Sequence, residues 1–360
     1  MLKLKRIGDE AIRDAVRKAA KDGHISDAEV KAIIRATFDG DSVTRDDLQD
    51  LLYIRNNSRS MSDKGRKLIE QFIRFVVDLN SRFKVPGRKT QAVDKELQSE
   101  VFRFMERPFN GAFTKINRYE IGLGLMAQLR DPGLINQGFI NGCAPAAVLY
   151  SRASAHPKEY ATFVMDLYEL GTAWLGNLTI RVSDNLKSAR VPTNADSPVL
   201  AIDWMTMASL RNSSDSLTKW ILNKEYNSGD DKMSNNFNVI RNWLKSIGYG
   251  SIKSWMSEID TPHAQKLAHL RQANSYFTSG HQVFLMVSAD LIQDPKAKAN
   301  LPNHAIVLET AIPGLTAGYA GPIHFKAFTW GSRSYDIPET GSLTQAQLLN
   351  HWFGYIAVKD

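Results

Sequence analysis

The chain has 360 residues, 43% hydrophobic and 23% charged, and its 45 Lys and Arg against 38 Asp and Glu give a formal charge of +7. A chain of this size buries enough apolar surface to fold without cross-links, and the composition excludes a disordered or fibrous protein. Its single cysteine, Cys143, excludes an internal disulfide and any zinc site that draws two to four thiolates from one chain.

The basic excess lies at the front: residues 1–90 hold 20 Lys and Arg against 14 Asp and Glu, and the rest hold 25 against 24. The larger part has no stripe of cations interleaved with aromatics, so nucleic acid is not an expected partner. The first residues, MLKLKRIGDEAIRD, place charges where a secretory signal needs an apolar stretch. Apolar runs such as Val283–Val287 are far too short to span a bilayer. The expectation is synthesis in the cytoplasm without a cleavable signal or membrane partner, any export depending on a dedicated secretion system.

In chain order, Val30, Ile33 and Ile34 after Asp27, and Leu68, Ile69, Phe72, Ile73, Val76 and Val77, recur at helical spacing. They predict a small all-α module over residues 1–90. Within it, Asp22–Val30 (DGHISDAEV) and Asp39–Leu48 (DGDSVTRDDL) resemble halves of EF-hand loops. With Gly23 at the sixth loop position, Asp22, Ser26 and Glu29 fill positions five, nine and twelve, but Lys18 and Ala20 stand at one and three. Calcium needs six to eight oxygens, so a helix-loop-helix shape without calcium is expected. Pro86 and Gly87, among polar and basic residues, predict a linker and place the domain boundary near residue 90.

Helices are expected at about 96–107 and 115–130, then from Pro157 to Gly171, where Tyr160, Phe163, Val164, Leu167 and Tyr168 form an apolar stripe. Strands are expected at Val283–Val287, Ala305–Leu308, Ile323–Trp330 and Tyr355–Val358, with helices near 262–277 and 343–351. Helices first and strands later predict an α+β domain over 91–360. Trp204, Trp220, Trp243 and Trp255 read as packing residues.

The chemistry concentrates in Gln137-Gly138-Phe139-Ile140-Asn141-Gly142-Cys143-Ala144-Pro145. A thiol attacks as thiolate, which a helix N-terminus favours through its unpaired N–H groups, and Pro145 with the alanines after it marks a helix start. The Cys143 N–H and a side-chain amide, Gln137, are the donors available to a developing oxyanion. Such a cysteine needs an imidazole as base. His304 opens the β-branched run Ala305–Leu308 and is preferred over His281, which opens Gln282–Val287. His24, His156, His263, His269, His324 and His351 fall in loop, helix or strand contexts that do not suit the role.

The Gln-Gly pair six and five residues before Cys143, the His strand, and Trp330-Gly331 on a later strand resemble the papain-like cysteine peptidases. The resemblance implies a nucleophile helix packed on an antiparallel sheet, and a Cys143–His304 thiolate-imidazolium pair with Gln137 in the oxyanion site. It also implies a protein or peptide substrate and no metal or organic cofactor. The family carries an asparagine two residues before that tryptophan; here Phe328 stands in its place. The third member is therefore open among Thr329, Asp336 and Asp203, with Trp330 as shield, and a dyad alone is admissible. The same pair also runs glutamine deamidation and transamidation. A helical front module, no signal and a peptidase-like domain resemble bacterial effector toxins, which implies an immunity or inhibitor protein as a further partner. A non-enzymatic adaptor with a buried structural cysteine is the rival from another class.

Overall fold

The computed structural model describes residues 2–38, 43–82, 93–108, 110–140, 142–192, 199–213, 232–258, 260–297 and 302–360. The chain divides into two compact units, Met1–Pro108 and Phe109–Asp360.

The first unit is helical: α1 (Glu10–Ala19), α2 (Asp27–Ala36), α3 (Arg45–Asn57), α4 (Asp63–Arg82) and α5 (Lys95–Glu106). Short polar side chains start each of the first three. Asp9 caps α1, Ser26 and Glu29 form a capping box on α2, and Thr44 and Asp47 form another on α3. The carboxylates that an EF-hand loop would turn toward calcium are used locally. Glu29 accepts the Ser26 N–H at 2.8 Å, and Asp22 accepts the His24 N–H at 2.9 Å. Ile25 forms an isolated parallel bridge with Met61. Residues 39–42 of the second loop segment (39–48) and 83–92 of the expected linker (80–95) lie outside the described residues.

The unit boundary falls at Pro108 and not near residue 90, because α5 belongs to the front unit. Its Phe102 packs edge-on to Phe38, which in turn meets Phe72, and Arg35 lies over the Phe102 ring. Gln98 Nε2 donates to the Phe38 carbonyl at 3.2 Å. A helix that closes an aromatic cluster stays with the cluster, whatever the composition of the segment before it.

The second unit is α+β. Its helical part contains α6 (Arg118–Arg130), α7 (Cys143–Ala155), α8 (Pro157–Leu170), α9 (Asp184–Ser188), α10 (Ala201–Asn212) and α11 (Lys232–Ile247). A hairpin, β1 (Thr172–Leu175) and β2 (Leu178–Arg181), follows α8 after the left-handed Gly171 cap. The main sheet comprises β3 (Ser251–Met256), β4 (Gln282–Val287), β5 (His304–Leu308), β6 (Phe325–Thr329), β7 (Ser332–Ile337) and β8 (Trp352–Lys359). Its order is β3-β8-β4-β5-β6-β7, every pair antiparallel.

Alternation along the strands gives the sheet two apolar faces. Val283, Leu285 and Val287 of β4 and Ile306 and Leu308 of β5 join a cluster with Leu267 and Leu270 of α12 (His263–Thr278). Leu348 and Leu349 of α14 (Gln345–His351) and Leu291 and Ile292 of the short α13 (Asp290–Gln293) complete that cluster. The intervening residues face the helical layer, where α7 packs against β5 and β6. Trp204 and Trp243 are buried, and Trp255 stacks on His269, so three of the four central tryptophans are packing residues; Trp220 lies outside the described residues. Among the described residues no helix is long and apolar enough to cross a membrane.

Candidate active site

Gly142 is the N-cap of α7 and has no side chain to occupy the N–H groups of the first turn, and Cys143 is the first helical residue. The glycine is required by crowding: a Cβ there would lie 2.9 Å from Met207 Sδ on α10 and 3.3 Å from Gln137 Cβ. Gln137 is thereby held beside the start of α7, in a turn closed by an Ile140 N–H to Gln137 carbonyl bond of 3.1 Å. Asn141 lies outside the described residues.

The Cys143 sulfur reaches the beginning of β5. Its Sγ–H donates to the Asn303 carbonyl at 4.0 Å, and the Ala305, Ala144 and Cys143 N–H groups favour the anion. The contacts are therefore with the backbone on either side of His304. The imidazole is buried and engaged elsewhere: His304 Nε2 and Thr329 Oγ1 share a hydrogen bond of 2.6 Å, and the Trp330 ring lies 5.1 Å away at 35°. No hydrogen bond joins the sulfur to the ring in this geometry.

Trp330 is not the last residue of a strand, as its apolar context suggested, but the first of a two-residue turn between β6 and β7. Trp330 and Gly331 both have positive φ, 46° and 71°, the requirement of a type I′ hairpin turn. A bulky residue in that region is strained. Its ring is seated between His304 and the edge of Tyr335 at 6.0 Å. Gly331 cannot carry a Cβ, which would meet Asn136 Cβ at 2.5 Å. The loop that carries Gln137 thus rests on the hairpin tip that carries Thr329 and Trp330. On the β7 side, Glu309 accepts from the Tyr150 hydroxyl, the Ser334 N–H and Arg333 Nε, tying the hairpin to α7.

Of the four sequence motifs, Gln137, Cys143, His304 and Thr329-Trp330-Gly331 converge. Asp336 does not. It is exposed on β7 and forms a 3.6 Å ion pair with Lys326, its cross-strand partner. Asp203 is fully buried in the helical layer, where its Oδ1 accepts from Gln128 Nε2 at 2.7 Å while Gln128 Oε1 accepts from Tyr160 at 2.7 Å. Phe328 faces the opposite way from Thr329 and stacks on Tyr150 of α7, ring centroids 3.9 Å apart and 3° from parallel. His281 lies at the far end of β4 from Val287, the residue paired with His304. Six residue steps of strand put it roughly 20 Å from Val287.

Desolvation moves both the Cys143 thiol and the His304 imidazole toward neutrality. It pushes the Cys143 thiol up, against the N–H groups and the positive charge of Arg211, and it pushes the His304 imidazole down to about 4. Neither charged form has the other as a hydrogen-bond partner in this geometry, and desolvation acts against both. Arg211, on α10 one turn beyond Met207 and 3% exposed, is the cation whose charge acts on the thiol, and sequence reasoning did not single it out. Its only sequence signal is a lone cation in a mostly buried helix. Among the described residues no group of three or more His, Cys, Asp or Glu side chains could hold a metal ion. No protein-family model matches this chain, and no curated protein or solved structure matches it.

Proposed function

We propose that the second unit is a thiol-dependent amide hydrolase of papain-like type, with Cys143 as nucleophile, His304 as base and Thr329 as the group that orients the imidazole. The observation that carries this reading is the meeting of the Cys143 helix start with the β5 start, where the ring of His304 is fixed through Nε2. With Nε2–H donated to Thr329 Oγ1, the lone pair is on Nδ1, the nitrogen a thiol can protonate once the ring turns toward the sulfur.

In the reaction so derived, Sγ–H gives its proton to Nδ1 as the C–S bond forms, and the carbonyl oxygen becomes an oxyanion facing the Cys143 N–H and the Gln137 amide. The imidazolium then protonates the amine as the C–N bond breaks. Water, deprotonated by the same nitrogen, hydrolyses the thioester and regenerates the thiol. An amide bond of a protein is the favoured substrate class; attack on a glutamine side chain would give deamidation, and an amine in place of water transamidation. Delivery into another cell, with an immunity protein guarding the producer, is the biological setting this reading suggests.

The test compares wild type with Cys143→Ala on a mixture of cellular proteins, reading new termini and one-dalton mass changes by mass spectrometry. Products that appear with wild type alone support the proposal, and identical products from both reject the nucleophile. A second reading is a structural cysteine in an adaptor, with the upward push on the thiol in its favour and the half-buried state of Cys143 against it. It predicts that iodoacetamide labels Cys143 only in denaturant, whereas a reacting cysteine labels in the folded chain.

Thr329 has a sharper expectation. Thr329→Val keeps the shape and removes the acceptor, so kcat is expected to fall on the order of tenfold to a hundredfold with its pH profile displaced. Thr329→Ser restores both. Equal loss in the two variants assigns Thr329 to packing.

A further inference from the structure

Cys143 is half-buried at the start of α7, and the charged groups near it differ in what they offer an anion. The first turn of α7 contains no acidic residue. Asp131, in the segment before the Gln137 loop, is engaged elsewhere: its Oδ1 accepts the Gly133 N–H at 2.9 Å and its charge acts on Arg333. From β5 comes His304, neutral over the physiological range. From α10 comes Arg211. Met207 lies against Gly142, the residue before the cysteine, and Arg211 follows four residues later, so both lie on one face of α10 beside the start of α7. A guanidinium, unlike an imidazole or an ammonium, keeps its charge when buried and hydrogen-bonded to other groups.

We propose that Arg211 is a positioning residue for the thiol, a fixed positive charge behind the Cys143 sulfur that sustains the thiolate in place of an imidazolium. This rests on the thiol-hydrolase reading above and alters it in one respect: the attacking anion is matched by a permanent cation, and His304 is left to move protons. The guanidinium is 3% exposed, so its charge is weakly screened by water and needs no protonation step to act on the half-buried thiol. The direction agrees with the lowering effect of Arg211 on the thiol.

The test measures the rate of Cys143 carboxamidomethylation by iodoacetamide against pH in the full chain, where one cysteine makes the labelled site unambiguous. Arg211→Lys, which retains the charge, is expected to react at a midpoint close to that of wild type. Arg211→Gln and Arg211→Met, the second keeping the apolar stem, are expected to react on the order of tenfold more slowly at a fixed pH below the midpoint, with the midpoint moved up by about one unit. A folded Gln or Met variant with the wild-type midpoint overturns the proposal. So does loss of folding in both neutral variants with folding kept in the Lys variant, because that assigns the charge to the core instead of the sulfur. A wild-type Cys143 that labels only in denaturant overturns the hydrolase reading itself, a result distinct from an unmoved midpoint.

Discussion

Replacing His304 by glutamine is expected to lower amide turnover at least about 10³-fold and, at the same time, to make the second unit more resistant to acid. The first effect follows from the loss of the only imidazole beside the sulfur, since a positioned general base contributes two to four orders of magnitude. The second follows from burial. The imidazole in the folded unit is pushed down to about 4 from an ordinary value near 6.5. Its folded-state value is the lower one, so between those limits the unfolded chain binds the proton and the folded chain does not. Stability from this group is complete above pH 6.5 and declines as the pH falls toward 4, by about 2 kcal/mol at pH 5 and about 3 kcal/mol at the bottom. Glutamine keeps a polar group opposite Thr329 and does not titrate, so urea unfolding at pH 7 and pH 5 is expected to show a smaller acid loss in the variant than in wild type. The depressed His351, whose Nε2 meets the Pro295 carbonyl, titrates in both proteins and cancels from the comparison. An equal acid loss in both proteins would mean that His304 is protonated in the fold, and with it that the neutral-imidazole geometry is wrong.

Much of this site was legible because each part follows a local rule. A small residue followed by cysteine, alanine and proline makes a helix start, and Cys143 opens α7. Histidine before a β-branched run makes a strand start, and His304 opens β5. Pro157 and Gly171 bound α8 as their backbone preferences require. The failures share a different cause: each depends on what lies across the chain. The strands β1, β2 and β3 and the helix α10, all between residues 172 and 280, carry weak periodicity and are fixed by packing. The placement of α5 in the front unit depends on Phe38 and Phe72, not on its own composition. Which of residues 328–330 meets the His304 imidazole turned on strand direction, and a shift of ladder register between Ala327 and Thr329 cannot be read from alternation alone. The role proposed for Arg211 has no sequence signal, because a cation at one helix position carries no sign of what it faces.

That register shift yields the second large expectation. Phe328→Asn restores the residue that the papain-like pattern carries two positions before its tryptophan, and it is expected to damage the fold without helping the chemistry. Phe328 is 2% exposed and lies flat on Tyr150, whose hydroxyl donates to Glu309, the carboxylate that also holds the Ser334 N–H. An amide there forfeits the aromatic contact, leaves a void beside Tyr150 and buries two polar groups against an apolar ring, at a cost of about 3–5 kcal/mol. For a unit of this size that corresponds to a melting temperature lowered by on the order of 10 °C. The new amide would point at α7, away from the Thr329 hydroxyl that occupies His304 Nε2, so the pH dependence of Cys143 alkylation is expected to stay where it is. Calorimetry and the alkylation profile of one variant therefore separate two arrangements of the strand. A destabilised protein with an unmoved profile supports Thr329 as the orienting group. A protein of wild-type stability with a displaced profile would place residue 328 on the imidazole and remove Thr329 from the site.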